Sequence, residues 1–180
     1  MNWLIFAGAA LGGLLLWRVA IAAIAPKPGD PAPEFALPDQ SSTTRSLAAF
    51  RDKWLVLYFY PRDDTPGCTV QACSFRDAWQ KLTALGAEVV GVSVDDVARH
   101  FAFAKRFELP FPLLADTGGA VASRYGSALN LGLFKIARRN TFLIDPQGRI
   151  ARVYLSASTS RNSQQVIEDL QALRKSEVPE

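Results

Sequence analysis

Sulfur and imidazole are scarce in this chain: two cysteines, one histidine and one methionine among 180 residues. Two cysteines are too few for the disulfide framework of a small secreted domain. A structural zinc site takes about four Cys, His or acidic ligands. Cys68, Cys73 and a distant His100 do not supply that pattern, so no metal is expected. Charge of one sign is not in excess either. There are 20 Lys and Arg against 17 Asp and Glu, with a formal net charge of +3. No Lys/Arg cluster appears, which argues against a nucleic-acid surface. Internal repeats and low-complexity tracts are also missing. What remains is 49% hydrophobic and 21% charged, a composition that suits one globular domain with a full core.

The N-terminus departs from this. Residues 3–25 are 23 positions with a single charge, Arg18, long enough to span a bilayer. Their Leu, Ile, Phe and Val content outweighs one arginine at about +2.5 to +3.5 kcal/mol. Ala23, Ile24 and Ala25 form an A-x-A pattern, but the basic n-region of a cleaved signal peptide is absent. A buried soluble helix is the third option. The reading is an uncleaved transmembrane anchor over residues 1–26, followed by a domain over 27–180. Lys27 follows the span and Arg18 lies toward that end, so the positive-inside rule leans the domain to the cytoplasmic side. A single-pass protein of a bacterial inner membrane is expected, with the periplasm as the alternative side.

Five prolines between residues 26 and 38 predict an extended connector rather than a helix. Residues 46–52 predict a short helix capped by Ser46. Residues 54–60, WLVLYFY, are an unbroken apolar run of the kind a strand buried on both faces shows. A helix is predicted from Pro66 to Leu85, stopped by Gly86, then a buried strand over 87–95. Helix over 96–109, a short strand before Asp116 and a short helix closed by Gly126 come next. Residues 127–139 read as loop. A hairpin turns at residues 145–148, and a last helix covers 160–175 with Val166, Ile167, Leu170 and Leu173 as its apolar face. Parallel strands first, antiparallel strands last and helices on both faces describe an α/β sandwich of thioredoxin-like order, preceded by the apolar N-terminal helix.

The cysteines lie five residues apart on the first long helix. On an intact helix their Cα atoms are about 8–9 Å apart, beyond the roughly 7 Å that a disulfide tolerates. A permanent staple is therefore a poor reading, while two inert buried thiols remain open. The setting of Cys68 points the other way. Pro66 fits the first helical turn, Gly67 leaves the backbone open to a ligand, and Cys68 follows among unpaired N–H groups at the positive end of the helix dipole. Such a position favours the thiolate, the reactive form. Thr65 can either cap the helix or hydrogen-bond a substrate. Arg62, Arg138 and Arg139 can each supply positive charge, and composition does not choose among them. Asp63 and Asp64 read as solvated loop residues or local backbone partners, and His100 as a surface or partly buried helix residue without a catalytic task.

The stretch YFYPRDDTPGCTVQACSFRD, residues 58–77, resembles the active-site segment of peroxiredoxins of the bacterioferritin-comigratory or peroxiredoxin Q type. It contains the P-x-x-x-T-x-x-C motif as Pro61, Thr65 and Cys68, with a second cysteine five residues on. GDPAPEFALPD, EVVGVSVDD and RNTFLIDPQG also match, so the resemblance covers about residues 27–175. It implies a thioredoxin-dependent peroxidase. Cys68 would be the peroxidatic cysteine, Thr65 would orient the peroxide, and Pro61 would shield the site. Gly67 and Cys68 would bind peroxide oxygens through backbone N–H groups. Arg139, ahead of Arg138, would hold the thiolate, and Cys73 would be the resolving cysteine.

The expected partners are a hydroperoxide and thioredoxin or a similar dithiol reductant. No metal or organic cofactor is implied, no nucleic acid, and a monomer is expected. Two rivals stand beside this reading. A tethered disulfide oxidoreductase of thioredoxin type would favour C-x-x-C, against the spacing here. A catalytically silent binding module would have no need of Pro61, Thr65, Cys68 and Arg139 together.

Overall fold

Trp54–Phe59 runs through the middle of a five-stranded sheet and is buried along its whole length. The computed structural model describes residues 25–130 and 135–177. In chain order its elements are β1 (Ala36–Pro38), β2 (Thr44–Ser46), a 3-10 turn (Leu47–Phe50), β3 (Trp54–Phe59), α1 (Pro66–Ala84), β4 (Ala87–Ser93) and α2 (Val97–Arg106). Then come β5 (Leu113–Ala115), α3 (Ala120–Arg124), β6 (Ala128–Asn130), β7 (Lys135–Ala137), β8 (Thr141–Ile144), β9 (Ile150–Tyr154) and α4 (Asn162–Glu177). The main sheet has the order β5-β4-β3-β8-β9. β3 pairs parallel with β4 and antiparallel with β8, so the sheet is mixed.

The run in β3 is unbroken because both of its faces are covered. Trp54, Val56 and Tyr58 meet residues of α1, α2 and α4 in one core. Leu55, Leu57 and Phe59 meet α3 and the 3-10 turn in the other. Side chains that alternate across a strand leave no room for a polar residue when both sides are roofed. The fold is the thioredoxin-like α/β sandwich that the order of elements predicts.

Several details differ from the sequence reading. The short helix expected over 46–52 is a 3-10 turn over Leu47–Phe50, and Ser46 makes no side-chain cap bond to it. The proline-rich connector ends in a small β1–β2 hairpin, closed by the Asp39 carboxylate, which accepts from the backbone of Ser41 and Thr43 and from Arg45. Burial alone would raise the Asp39 carboxyl, but Arg45 and those two N–H groups more than offset it and hold it low. Residues 127–139 read as loop, yet within them β6 and β7 pair antiparallel. Strands of three residues that stay largely outside the cores carry no alternating pattern to read.

The anchor assigned to residues 1–26 and the apolar N-terminal helix rest on residues 1–24, which lie outside the described residues. The membrane assignment is corrected. Among the described residues no helix is long and apolar enough to cross a membrane. Their helices owe their apolar positions to the two faces of the sheet.

Candidate active site

α1 starts where β3 hands over to the loop Pro61 to Thr65. Thr65 has extended backbone at the N-cap position and Pro66 follows at the first turn. The first helical hydrogen bond runs from Thr69 N–H to the Thr65 carbonyl. Cys68, Gln71, Ala72 and Phe75 are buried at helical spacing, which fixes one face of α1 on the sheet. The N-terminal N–H groups lie at the Cys68 turn, as the sequence predicts.

Cys68 is 1% exposed, and its Sγ accepts from Arg139 Nη2 at 3.4 Å. Arg139 Nη1 donates to Gln71 Oε1 at 2.6 Å and reaches the Gly67 carbonyl at 3.5 Å. One side of the guanidinium fork therefore meets the sulfur while the other is tied to the helix that carries it. Gly67 leaves room for the approach: a Cβ there would lie a tight 3.2 Å from Arg139 Nη2 and 3.4 Å from Thr159 Cγ2. The next residue, Asn140, is buried and holds the strand entrance. Its Nδ2 donates to Ser127 Oγ, and its Oδ1 accepts from Ser156 N–H. Ala157 N–H donates to the Arg139 carbonyl itself.

Of the three candidate cations only Arg139 contacts the thiol. Arg138 is exposed, and Arg62 turns to Asp95 at 3.6 Å. Thr65 does not cap the helix; its Oγ1 donates to the Arg62 carbonyl at 3.0 Å. Pro61 is half-buried at the end of β3. Cys73 is free, half-buried and on the same helix as the free Cys68. It lines an open groove of about 610 Å³ between α1 and α4, beside Val70, Ser74, Ser163 and Ile167. The arrangement sets a buried thiol sulfur against a guanidinium, with a second thiol five residues away on the same helix, whose wound geometry keeps the two beyond disulfide reach.

Beneath the site lies a wall of rings. Tyr58 stacks on Tyr60 and Phe75 with centroids 5.4 and 4.8 Å away. Gly91 of β4 accommodates it, since a Cβ there would meet the Tyr58 hydroxyl at 2.7 Å. Burial pushes both phenols well above their ordinary range, so neither serves as a phenolate base.

Two residues read as solvated or partly exposed are in fact buried. Asp63 is 1% exposed and His100 is 0% exposed. His100 Nδ1 faces Asp63 Oδ2 at 2.8 Å and Nε2 faces the Leu114 carbonyl at 3.2 Å. Tyr60 OH donates to Asp63 Oδ1, and Asp63 N–H donates to Asp95 Oδ2. The loop bearing Pro61 and Thr65 is thus pinned to Asp95 in the turn after β4, to α2 and, through His100, to β5. Sequence alone does not reveal this, because the partners lie 32 to 37 positions away. Removing one partner of a buried pair leaves the other uncompensated. His100→Ala strips Asp63 Oδ2 and the Leu114 carbonyl of a buried partner and is expected to cost about 1–3 kcal/mol of stability, read as a lower urea midpoint with circular dichroism. An unchanged midpoint would show that the pair does not hold the loop.

Gln71, Asn140 and Asn162 also escaped the sequence reading. Gln71 had a usable signal, since three residues after Cys68 it shares that residue's helical face. Asn140 and Asn162 had none.

A model of the AhpC/TSA family matches residues 28–153. Peroxiredoxin Q, chloroplastic, of Triticum aestivum is 47% identical over 126 residues, covering 70% of this chain and 58% of that protein. The chain thus spans under two thirds of the length of such plant relatives. The putative peroxiredoxin bcp of Coxiella burnetii is 43% identical over 130 residues, covering 70% of this chain and 86% of that protein. Among solved structures, peroxidoxin BcpB from Mycobacterium tuberculosis superposes with a TM-score of 0.79 at 36% identity, over 83% of this chain and 99% of that one. A PrxQ mutant from Xylella fastidiosa gives 0.78 at 27% identity, over 84% and 99%. The wheat protein's name places that protein in the chloroplast; for this chain the expected single-pass bacterial inner-membrane location is withdrawn because, among the described residues, no helix is long and apolar enough to cross a membrane.

Proposed function

Since the chain belongs to the AhpC/TSA family and resembles its peroxiredoxin Q and bcp members, we propose that it is a thiol-specific peroxidase whose catalytic unit is residues 27–180. The Cys68 thiolate attacks the terminal oxygen of a hydroperoxide. The O–O bond breaks, Cys68 becomes a sulfenic acid, and the alkoxide or hydroxide takes a proton and leaves as alcohol or water. Arg139 holds the thiolate and stabilises the negative charge that moves onto oxygen. Thr65 orients the peroxide, backbone N–H groups of Gly67 and Cys68 bind its oxygens, and Pro61 shields the sulfur. Cys73 then displaces hydroxide from the sulfenic acid, forming a Cys68–Cys73 disulfide and water. Thioredoxin or a similar dithiol returns both thiols by exchange.

The observation that carries this reading is the contact of Arg139 with the Cys68 sulfur, at the first turn of the helix that also bears Cys73. For a disulfide to form, the first turns of α1 must unwind, because wound geometry keeps the sulfurs apart.

The test is NADPH-coupled turnover of hydrogen peroxide and of an alkyl hydroperoxide by the full chain with a thioredoxin system, beside an insulin-reduction assay. Peroxide-dependent NADPH oxidation is expected. One equivalent of peroxide should yield an intramolecular Cys68–Cys73 bridge by mass spectrometry. Insulin reduction without peroxide turnover would support the disulfide-oxidoreductase rival, and neither activity would support the silent module.

A further inference from the structure

If α1 must open, whatever holds it closed sets how fast Cys73 arrives. Ser74, the residue after Cys73, has its Oγ 2.5 Å from Ser163 Oγ and donates to the Ser160 carbonyl at 3.4 Å. Gln71, between the two cysteines, donates to Asn162 Oδ1 at 3.4 Å. Both contacts fasten the Cys73 turn to the beginning of α4. That beginning is itself immobilised. Asn162 is fully buried, its Oδ1 also accepts from Thr141 Oγ1 at 2.7 Å, and Ser163 is 6% exposed. Asn162 Nδ2 is buried without a hydrogen-bond partner among the described residues, so the polar groups of this junction are not all satisfied.

We propose that Ser163, acting through Ser74, is a positioning residue for the resolving step: it holds the Cys73 turn on α4 and so governs the fate of the Cys68 sulfenic acid. This rests on the reading of Cys68 as peroxidatic and Cys73 as resolving. Two reactions compete for the sulfenic acid. In one, the Cys73 sulfur forms the S–S bond, the S–O bond of Cys68 breaks, and the hydroxyl leaves with the thiol proton as water. In the other, a second hydroperoxide gives up an oxygen to Cys68, producing the sulfinic acid and an alcohol or water. Disulfide formation requires the turns of α1 that carry Cys68 and Cys73 to unwind, and the Ser74–Ser163 contact fastens the end of that stretch to α4; overoxidation requires no unwinding. A hydrogen bond present only in the wound state therefore biases the outcome toward overoxidation. Its removal shifts the opening equilibrium by about two- to tenfold, the range of one ordinary neutral hydrogen bond. Ser163 has no hydrogen bond to Cys68 or Arg139, so the first step is untouched.

The experiment compares full-length wild type, Ser163→Ala and Ser163→Thr during turnover at rising hydrogen peroxide. Mass spectrometry quantifies sulfinic acid at Cys68, and stopped-flow measures the first step. Ser163→Ala is expected to lower the sulfinic fraction about two- to tenfold. It should speed amide exchange over residues 68–74 by a similar factor and leave the peroxide rate constant unchanged. Ser163→Thr, which keeps the hydroxyl, should restore wild-type partition. An unchanged sulfinic fraction in Ser163→Ala, in a protein whose wild type forms the Cys68–Cys73 disulfide, overturns the proposal. So does an equal change in the first-step rate, which would place Ser163's effect on Cys68 itself. Failure of the wild type to form that disulfide overturns the resolving role of Cys73, and this proposal with it.

Discussion

Cys68→Ser is expected to lower peroxide turnover by about 1,000-fold or more while the domain stays folded, because the attacking group itself is removed. A serine hydroxyl remains protonated where a thiol ionises, and it is a far weaker nucleophile toward O–O. The exchange is nearly isosteric and keeps the helical spacing of α1, so the core around Phe75 and Tyr58 is undisturbed. Cys73 does not substitute. Five residues at 100° each turn it about 140° away around the helix, and no hydrogen bond joins it to Arg139. Coupled turnover and a thermal melt by circular dichroism check both halves of the prediction. Activity within tenfold of wild type in a folded Cys68→Ser protein would sink the assignment. Cys73→Ser should behave differently: one fast equivalent of peroxide consumed, then a stall at the sulfenic acid instead of a disulfide.

Arg139→Ala should slow the reaction with peroxide by about 100- to 1,000-fold, the usual loss when a group aimed at developing charge is removed. Arg138→Ala should stay within about twofold, as an exposed surface cation does little at a neighbouring site. The two arginines are adjacent in sequence and equal in charge; only one reaches the sulfur. Arg139→Lys should recover part of the rate at most. A single ammonium cannot reproduce the planar fork that spans Cys68 Sγ and Gln71 Oε1. Arg139→Ala also leaves Gln71 without that donor, at a cost of about 1–3 kcal/mol, so stability must be measured alongside the stopped-flow rate. Equal losses in the two alanine variants, or the reverse order, would refute the choice.

The core strands were legible because burial on both faces writes itself into composition. WLVLYF carries no charge, and AEVVGVS only Glu88, which is part-exposed, since both lie between two layers of the sandwich. α1 was legible from its ends: Pro66 can start a helix and Gly86 can stop one, and the observed helix stops one residue short of the prediction. The β1–β2 and β6–β7 hairpins were not legible, because strands of three residues stabilised largely by pairing need no hydrophobic repeat. Asp63 and His100 misled for a related reason. A loop aspartate and a helical histidine are usually wet, and their burial depends on Tyr60, Asp95 and Leu114, which no local pattern brings in.

By itself the sequence determined the chemistry available and its local frame: two thiols, one at a helix start behind Thr-Pro-Gly, the other five residues on. These follow from short-range rules, in which proline, glycine and helical periodicity act within a turn or two. Tertiary structure alone decided which arginine meets the sulfur, that Gln71 ties that arginine to the helix, and that Ser163 and Asn162 fasten the Cys73 turn to α4. Those contacts join residues 68 to 91 positions apart. Their geometry is set by how β8 and α4 dock on the sheet, and packing of that kind has no signature in any short window of sequence.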